Sequence, residues 1–245
     1  MSTLDVIAYT AILLGVLSFF TILVDVVRYP QKMKIMSVVW PIQGLYLGPF
    51  AIWFYWTMGR QTKNQKHSQM NTNHGEHFHH STHKEMNHQS HGHGNKPFYQ
   101  SVFVSTSHCS SGCAIGDLIG APLVFLTGLA IAGSTLFADY VVEFILAYLF
   151  GIFFQVFSIV PMNKGMGWGK GFVAAIKADT LSLIAFEIGM FGWMAIVHYG
   201  IFASNAPEPN DPVFWFMMQI AMILGTATSY PANWFLVKKG VKHAM

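Results

Sequence analysis

Charged side chains are scarce in this chain. They make up 10% of its 245 residues, against about 25% in an ordinary soluble domain. That leaves too little polar surface to clothe a water-soluble enzyme. Cysteine is nearly absent, at 2 residues, which excludes a disulfide-stapled secreted scaffold. The formal charge of +3 comes without a basic stripe, so nucleic acid is excluded as a partner. The sequence also lacks a Ser-His-Asp set and a His-Glu-x-x-His pair. Its glycine-rich stretch 165–171 lacks the phosphate-loop spacing. A non-enzymatic protein is the better expectation.

What is abundant is apolar. Hydrophobic residues reach 53% and the mean hydropathy is +0.41. Runs of roughly 20 apolar residues are long enough to cross a bilayer. Six are legible, at 6–27, 35–57, 115–137, 140–161, 173–198 and 213–236. None alternates apolar and polar residues as barrel strands do. The expected fold is all-α, a polytopic helical bundle of about six transmembrane helices with lipid as its surroundings. The first run has no basic segment before it and no clear cleavage site, so it reads as a retained helix. With six spans, eleven of the 14 lysines and arginines fall on one side. Both termini are then expected in the cytoplasm of a multi-pass cell-membrane protein. Arg28, Lys32 and Lys34 dissent from that arrangement. A homo-oligomer is compatible with all of this.

Three segments follow. Residues 1–58 hold the first two helices. Residues 59–100 form a polar, cytoplasmic loop, and 101–245 carry the remaining four helices. The loop loses all hydrophobic periodicity and reads as disordered. It holds nine of the 12 histidines, among them His77, His79, His80, His91 and His93. Such tracts capture metal ions, although a plain polar linker fits the same composition. Deleting 66–96 is expected to leave a folded membrane protein.

Both cysteines stand in Ser107-His108-Cys109-Ser110-Ser111-Gly112-Cys113-Ala114-Ile115-Gly116-Asp117. If the helix starts early, Cys109, Cys113 and Asp117 share one face at steps of four. Two thiolates with His108 suit copper or zinc. A dithiol redox pair is an alternative, and so is close helix packing through Gly112, Gly116 and Gly120. The run 173–198 carries a second stripe, Glu187, Met190, Met194 and His198, at steps of three, four and four. A carboxylate, two thioethers and an imidazole could pass a soft cation, although methionine also fills gaps in helix packing.

The His108–Cys113 stretch with Gly116-Asp117 resembles the bacterial membrane family known as domain of unknown function 4396. Phe154-Gln155 to Pro161-Met162, Lys177 to Leu183, Pro212 to Met222 and Tyr230 to Trp234 fit the same family. The resemblance implies a polytopic helical protein and brings no substrate or reaction. The residues themselves lead to a membrane metal-handling protein, with copper first and zinc second. The alternatives are a redox or cofactor enzyme using Cys109 and Cys113, haem on His108 or His198 included, and a scaffold without chemistry.

Overall fold

The computed structural model describes residues 2–31, 33–60, 97–162 and 167–242. Among the described residues the fold is a helical bundle without a β-sheet. Its helices are α1 (Thr3–Arg28), α2 (Met36–Leu47), α3 (Pro49–Phe54), α4 (Phe98–Thr127), α5 (Thr135–Met162), α6 (Trp168–Ile196) and α7 (Pro212–Lys238). Wider π-turns extend α3 over Tyr55–Gly59 and α6 over Val197–Ile201. Five of these elements, α1, α4, α5, α6 and α7, are long and apolar enough to cross a membrane. The chain is therefore a multi-pass membrane protein. Histidines 77, 79, 80, 91 and 93 lie outside the described residues.

The run at 35–57, expected to be one spanning helix, is instead a hairpin of two short limbs. Pro49 has no N–H to give to the Leu45 carbonyl four residues back. The Gln219 side chain of α7 caps that carbonyl instead, at 2.6 Å. Gly48 turns at φ +56°, a conformation that costs a glycine little. Gly15 of α1 lies against this junction, and a side chain there would strike the Leu45 carbonyl. At about 1.5 Å per residue, α2 is about 18 Å long, well short of a bilayer core of about 30 Å. The second limb returns to where the first began. Gly59 packs on the Trp40 ring, and the Tyr55 hydroxyl and Arg60 guanidinium both donate to Asp25, near the end of α1.

This hairpin changes how the helices run. Met33, before α2, touches Ser158 near the end of α5. Tyr230 and Trp234 of α7 meet Tyr99 and Phe98 at the start of α4. One end of the bundle thus gathers the end of α1, both feet of the hairpin, the starts of α4 and α6, and the ends of α5 and α7. Ser2 and Lys242 lie at opposite ends, where six spans would have put both termini on one side. Arg28, Lys34 and Arg60 now fall at the same end as Lys170, Lys238 and Lys239. This is the basic end of the bundle.

The third span also departs from its sequence boundaries. It begins at Phe98, not near residue 115, so the cysteine motif sits inside the membrane-crossing helix and not at its rim. Residues Ser105–Ala114 are buried on every side of α4. Their serines, threonine and histidine face neighbouring helices, which is why hydropathy alone undercounts this helix. Half or more of α4 is enclosed, against 22% of the peripheral α1.

The glycines do serve packing. Gly112 lies against Gly151, with 2.9 Å left for a side chain, Gly116 against the Ala147 backbone, and Gly120 against Glu143. This is the small-residue seam by which membrane helices approach closely. Gly116→Leu is expected to cost at least the upper end of the ~1–3 kcal/mol of overpacking, read as a lost melting transition in detergent. Gly192→Ala, which meets nothing within 4 Å, is expected to leave it unchanged.

Candidate functional site

The face of α4 that carries Cys109, Cys113 and Asp117 looks into the bundle toward α6, and all three are buried. Steps of four residues stack them along the helix axis, with Cys113 about 22 Å from the helix start. The Cys109 thiol lies 3.4 Å from the Ser182 hydroxyl of α6. One turn further, Cys113 neighbours Cys109, Glu187 and Asp117. Glu187 comes from α6, 2% exposed, and its carboxyl interacts with the Cys113 thiol, while the carboxyl oxygens of Asp117 have no hydrogen-bond partner. Asp117 in turn neighbours Glu143 of α5.

The second stripe also points inward for most of its length. Met190 and Met194 are buried in the core beside Glu187. His198 stands on the π-turn, half-buried. With Asp139, Met194 and Glu208 it lines a cavity of about 310 Å³ at the end opposite the basic one. His108 is set apart. Its ring packs on Phe154 at 6.1 Å, its nitrogens have no hydrogen-bond partner, and its charged neighbours are Asp179 and Lys242. Among the described residues, no three His, Cys, Asp or Glu side chains form a ready-made metal-binding set.

Some site residues escaped the sequence reading. Glu143 is 2% exposed and lies under Gly120. Its place inside follows from the glycine seam, which brings α5 close enough to cover it. Tyr46 of the hairpin is buried beside Gln43, Ser111 and Thr226, and Gln43 is itself fully enclosed. Only the break at Gly48-Pro49 hints that these polar residues face inward. Lys242 and Asp179 form an ion pair of 2.8 Å with both side chains 0% exposed. Burial disfavours the Lys242 ammonium, but the Asp179 carboxylate outweighs this and holds its pKa above the usual lysine value. No local signal in the sequence couples two residues 63 positions apart.

The sequence profile of domain of unknown function 4396 matches residues 98–242. The chain belongs to this family. The matched domain holds α4 to α7 and Lys242, and leaves α1 and the hairpin outside it. No curated protein and no solved structure matches the chain.

Proposed function

We propose that the protein binds a soft cation inside the membrane, copper before zinc, and passes it between the two ends of the bundle. One observation carries this reading: two thiols, the Glu187 carboxyl that interacts with Cys113, and the unpartnered Asp117 carboxyl meet at mid-bundle, all buried. Burying an uncompensated carboxyl is costly, and ionisable groups inside a membrane bundle commonly mark an ion or proton pathway. Thiolate with the nearby Met190 thioether suits a soft ion. Polar groups continue in both directions, through Ser182 to Asp179 and through Glu143 to Asp139 and the His198 cavity. Groups spaced along a file suit handing an ion on from one to the next.

Metal analysis and an absorption spectrum of the purified full chain test this. The expected result is copper retained after Cu(I) loading and no haem band. Loss of all copper on desalting would remove the soft-cation reading, and a haem band would replace it with the cofactor alternative.

We infer also that the basic end faces the cytoplasm of the cell membrane. Among the described residues, Arg28, Lys34, Arg60, Lys170, Lys238, Lys239 and Lys242 lie at this end, as the positive-inside rule demands. Two of the dissenting charges, Arg28 and Lys34, are thereby accounted for. Reporter fusions are expected to place the C-terminus inside and the N-terminus outside. Two termini on the same side would overturn the hairpin as well as the orientation.

A further inference from the structure

Resting on the soft-cation reading above, we propose that the cavity at the end opposite the basic one is a separate receiving site for that ion, held by the His198 imidazole and the Met194 thioether and fed by an acidic rim. The cavity has a volume of about 310 Å³ and is closed by parts of α4, α5, α6 and the start of α7. Met194 and His198 stand four residues apart on α6 and both line it, so they share one face of the helix. The helix widens at this point. The Phe202 N–H reaches back five residues to the Val197 carbonyl, at 2.9 Å, and such single π-turns recur at functional sites. Imidazole and thioether both suit a soft ion such as Cu(I). Met194 is buried and His198 half-buried, so one donor faces the core and the other the way in.

The rim supplies charge. Residues 123–139 and 194–213, which form this end of α4 to α7, contain Asp139, Glu208 and Asp211 and no lysine or arginine. Clefts lined by one sign of charge concentrate ions of the other. Asp139 and Glu208 line the cavity itself. They act through their field and not as ligands, in keeping with their spread around the wall, since among the described residues no three His, Cys, Asp or Glu side chains converge on a metal position. The turn that carries Glu208 is pinned in advance. The Asp211 N–H donates to the Glu208 carbonyl and the Trp215 indole N–H to the Pro209 carbonyl, each at 2.8 Å. Asp211 also caps α7 through the Val213 N–H, at 2.8 Å. Inward from Met194, the Met190 thioether lies one turn deeper beside Glu187, and Glu187 interacts with Cys113. An ion taken up in the cavity thus has a second thioether between it and the thiols.

The test is carbethoxylation of histidines in the purified full chain by diethyl pyrocarbonate, read residue by residue by mass spectrometry, with and without Cu(I) in the absence of oxygen. His108, 0% exposed, is the internal reference and is expected to stay unmodified. Saturating Cu(I) is expected to slow modification of His198 at least about tenfold, the effect of filling about nine-tenths of a site. That protection is expected to persist with Cys109→Ser and Cys113→Ser combined, because the cavity binds on its own. Met194→Leu, a swap of similar volume, is expected to weaken Cu(I) binding at His198 at least about tenfold. Asp139→Asn with Glu208→Gln is expected to slow arrival of Cu(I) at His198 about tenfold, the low end of what a charged cleft adds to ion capture. Unaltered His198 reactivity with copper held by the cysteines overturns the cavity site and leaves the thiol site standing. Protection that vanishes with the two thiols overturns it too, because the change is then relayed from them. Full affinity in Met194→Leu overturns the ligand assignment. Protection of His198 with no copper retained on desalting overturns the thiol reading and leaves the cavity site.

Discussion

Lys242→Met is expected to lower the stability of the detergent-solubilised protein by about 3–5 kcal/mol, the cost of breaking a buried ion pair by removing one partner. Both side chains are 0% exposed, so water cannot take over the Asp179 charge. Methionine matches the lysine stem in length, and the loss is therefore electrostatic and not a cavity effect. The double change Asp179→Asn with Lys242→Met is expected to recover most of the loss, since replacing both partners by neutral groups of similar volume is often close to neutral. Asn233→Ala removes an acceptor 2.8 Å from the Lys242 ammonium and is expected to cost less, about 1.5–3 kcal/mol for a hydrogen bond to a charged group. Unfolding curves of the four proteins in one detergent decide the matter. Equal losses for the single and double variants would show that the pair does not hold the tail.

The bundle was legible from the apolar runs because a lipid-facing helix must be apolar over a fixed length. The same logic fails where a helix is enclosed by protein. Apart from Ile115, Ser105 to Asp117 are polar or small, yet they lie at the centre of α4 and not in a loop, because their neighbours are α2, α5, α6 and α7 and not lipid. It fails in the other sense at 35–57, where a run long enough to span is broken by Gly48 and Pro49. Composition cannot distinguish such a run from a spanning helix. The dissent of Arg28 and Lys34 was the visible trace of that break, since a hairpin moves them to the side of the other positive charges.

The candidate site was legible where its residues share one helix. The steps of four in Cys109, Cys113 and Asp117, and the spacing of Glu187, Met190 and Met194, each define a face, and both faces turn inward. What periodicity cannot say is how two faces are set in height against each other. Glu187 stands level with Cys113 because the glycine seam and the α6–α7 contact, with Gly189 against Gly225, fix those heights. His198 sits near the far end of its stripe, a π-turn away from the thiols. His108, next to Cys109 in sequence, is rotated by about 100° on a helix of 3.6 residues per turn and meets Phe154 and the Asp179–Lys242 pair instead.

Those placements set the expected order of effects on metal binding. In protein lacking 66–96, so that no tract histidine competes, Cys109→Ser and Cys113→Ser are each expected to weaken Cu(I) binding by at least about a hundredfold, beyond the 10–100-fold typical of residues that only support a ligand. Asp117→Asn and Glu187→Gln are expected to fall within that supporting range, because the Glu187 carboxyl interacts with the Cys113 thiol and Asp117 lies beside it. His108→Ala is expected to change affinity least, given where its ring lies. Affinity should fall as the pH is lowered, since thiols bind metal only after losing their protons. If the cysteines served packing alone, serine, close to cysteine in size, would leave Cu(I) affinity unchanged. The melting temperature is the control, because a variant that loses affinity while melting with the parent has lost ligands and not its fold. Equal affinity with and without the two thiols would reduce the motif to the glycine seam that joins α4 to α5.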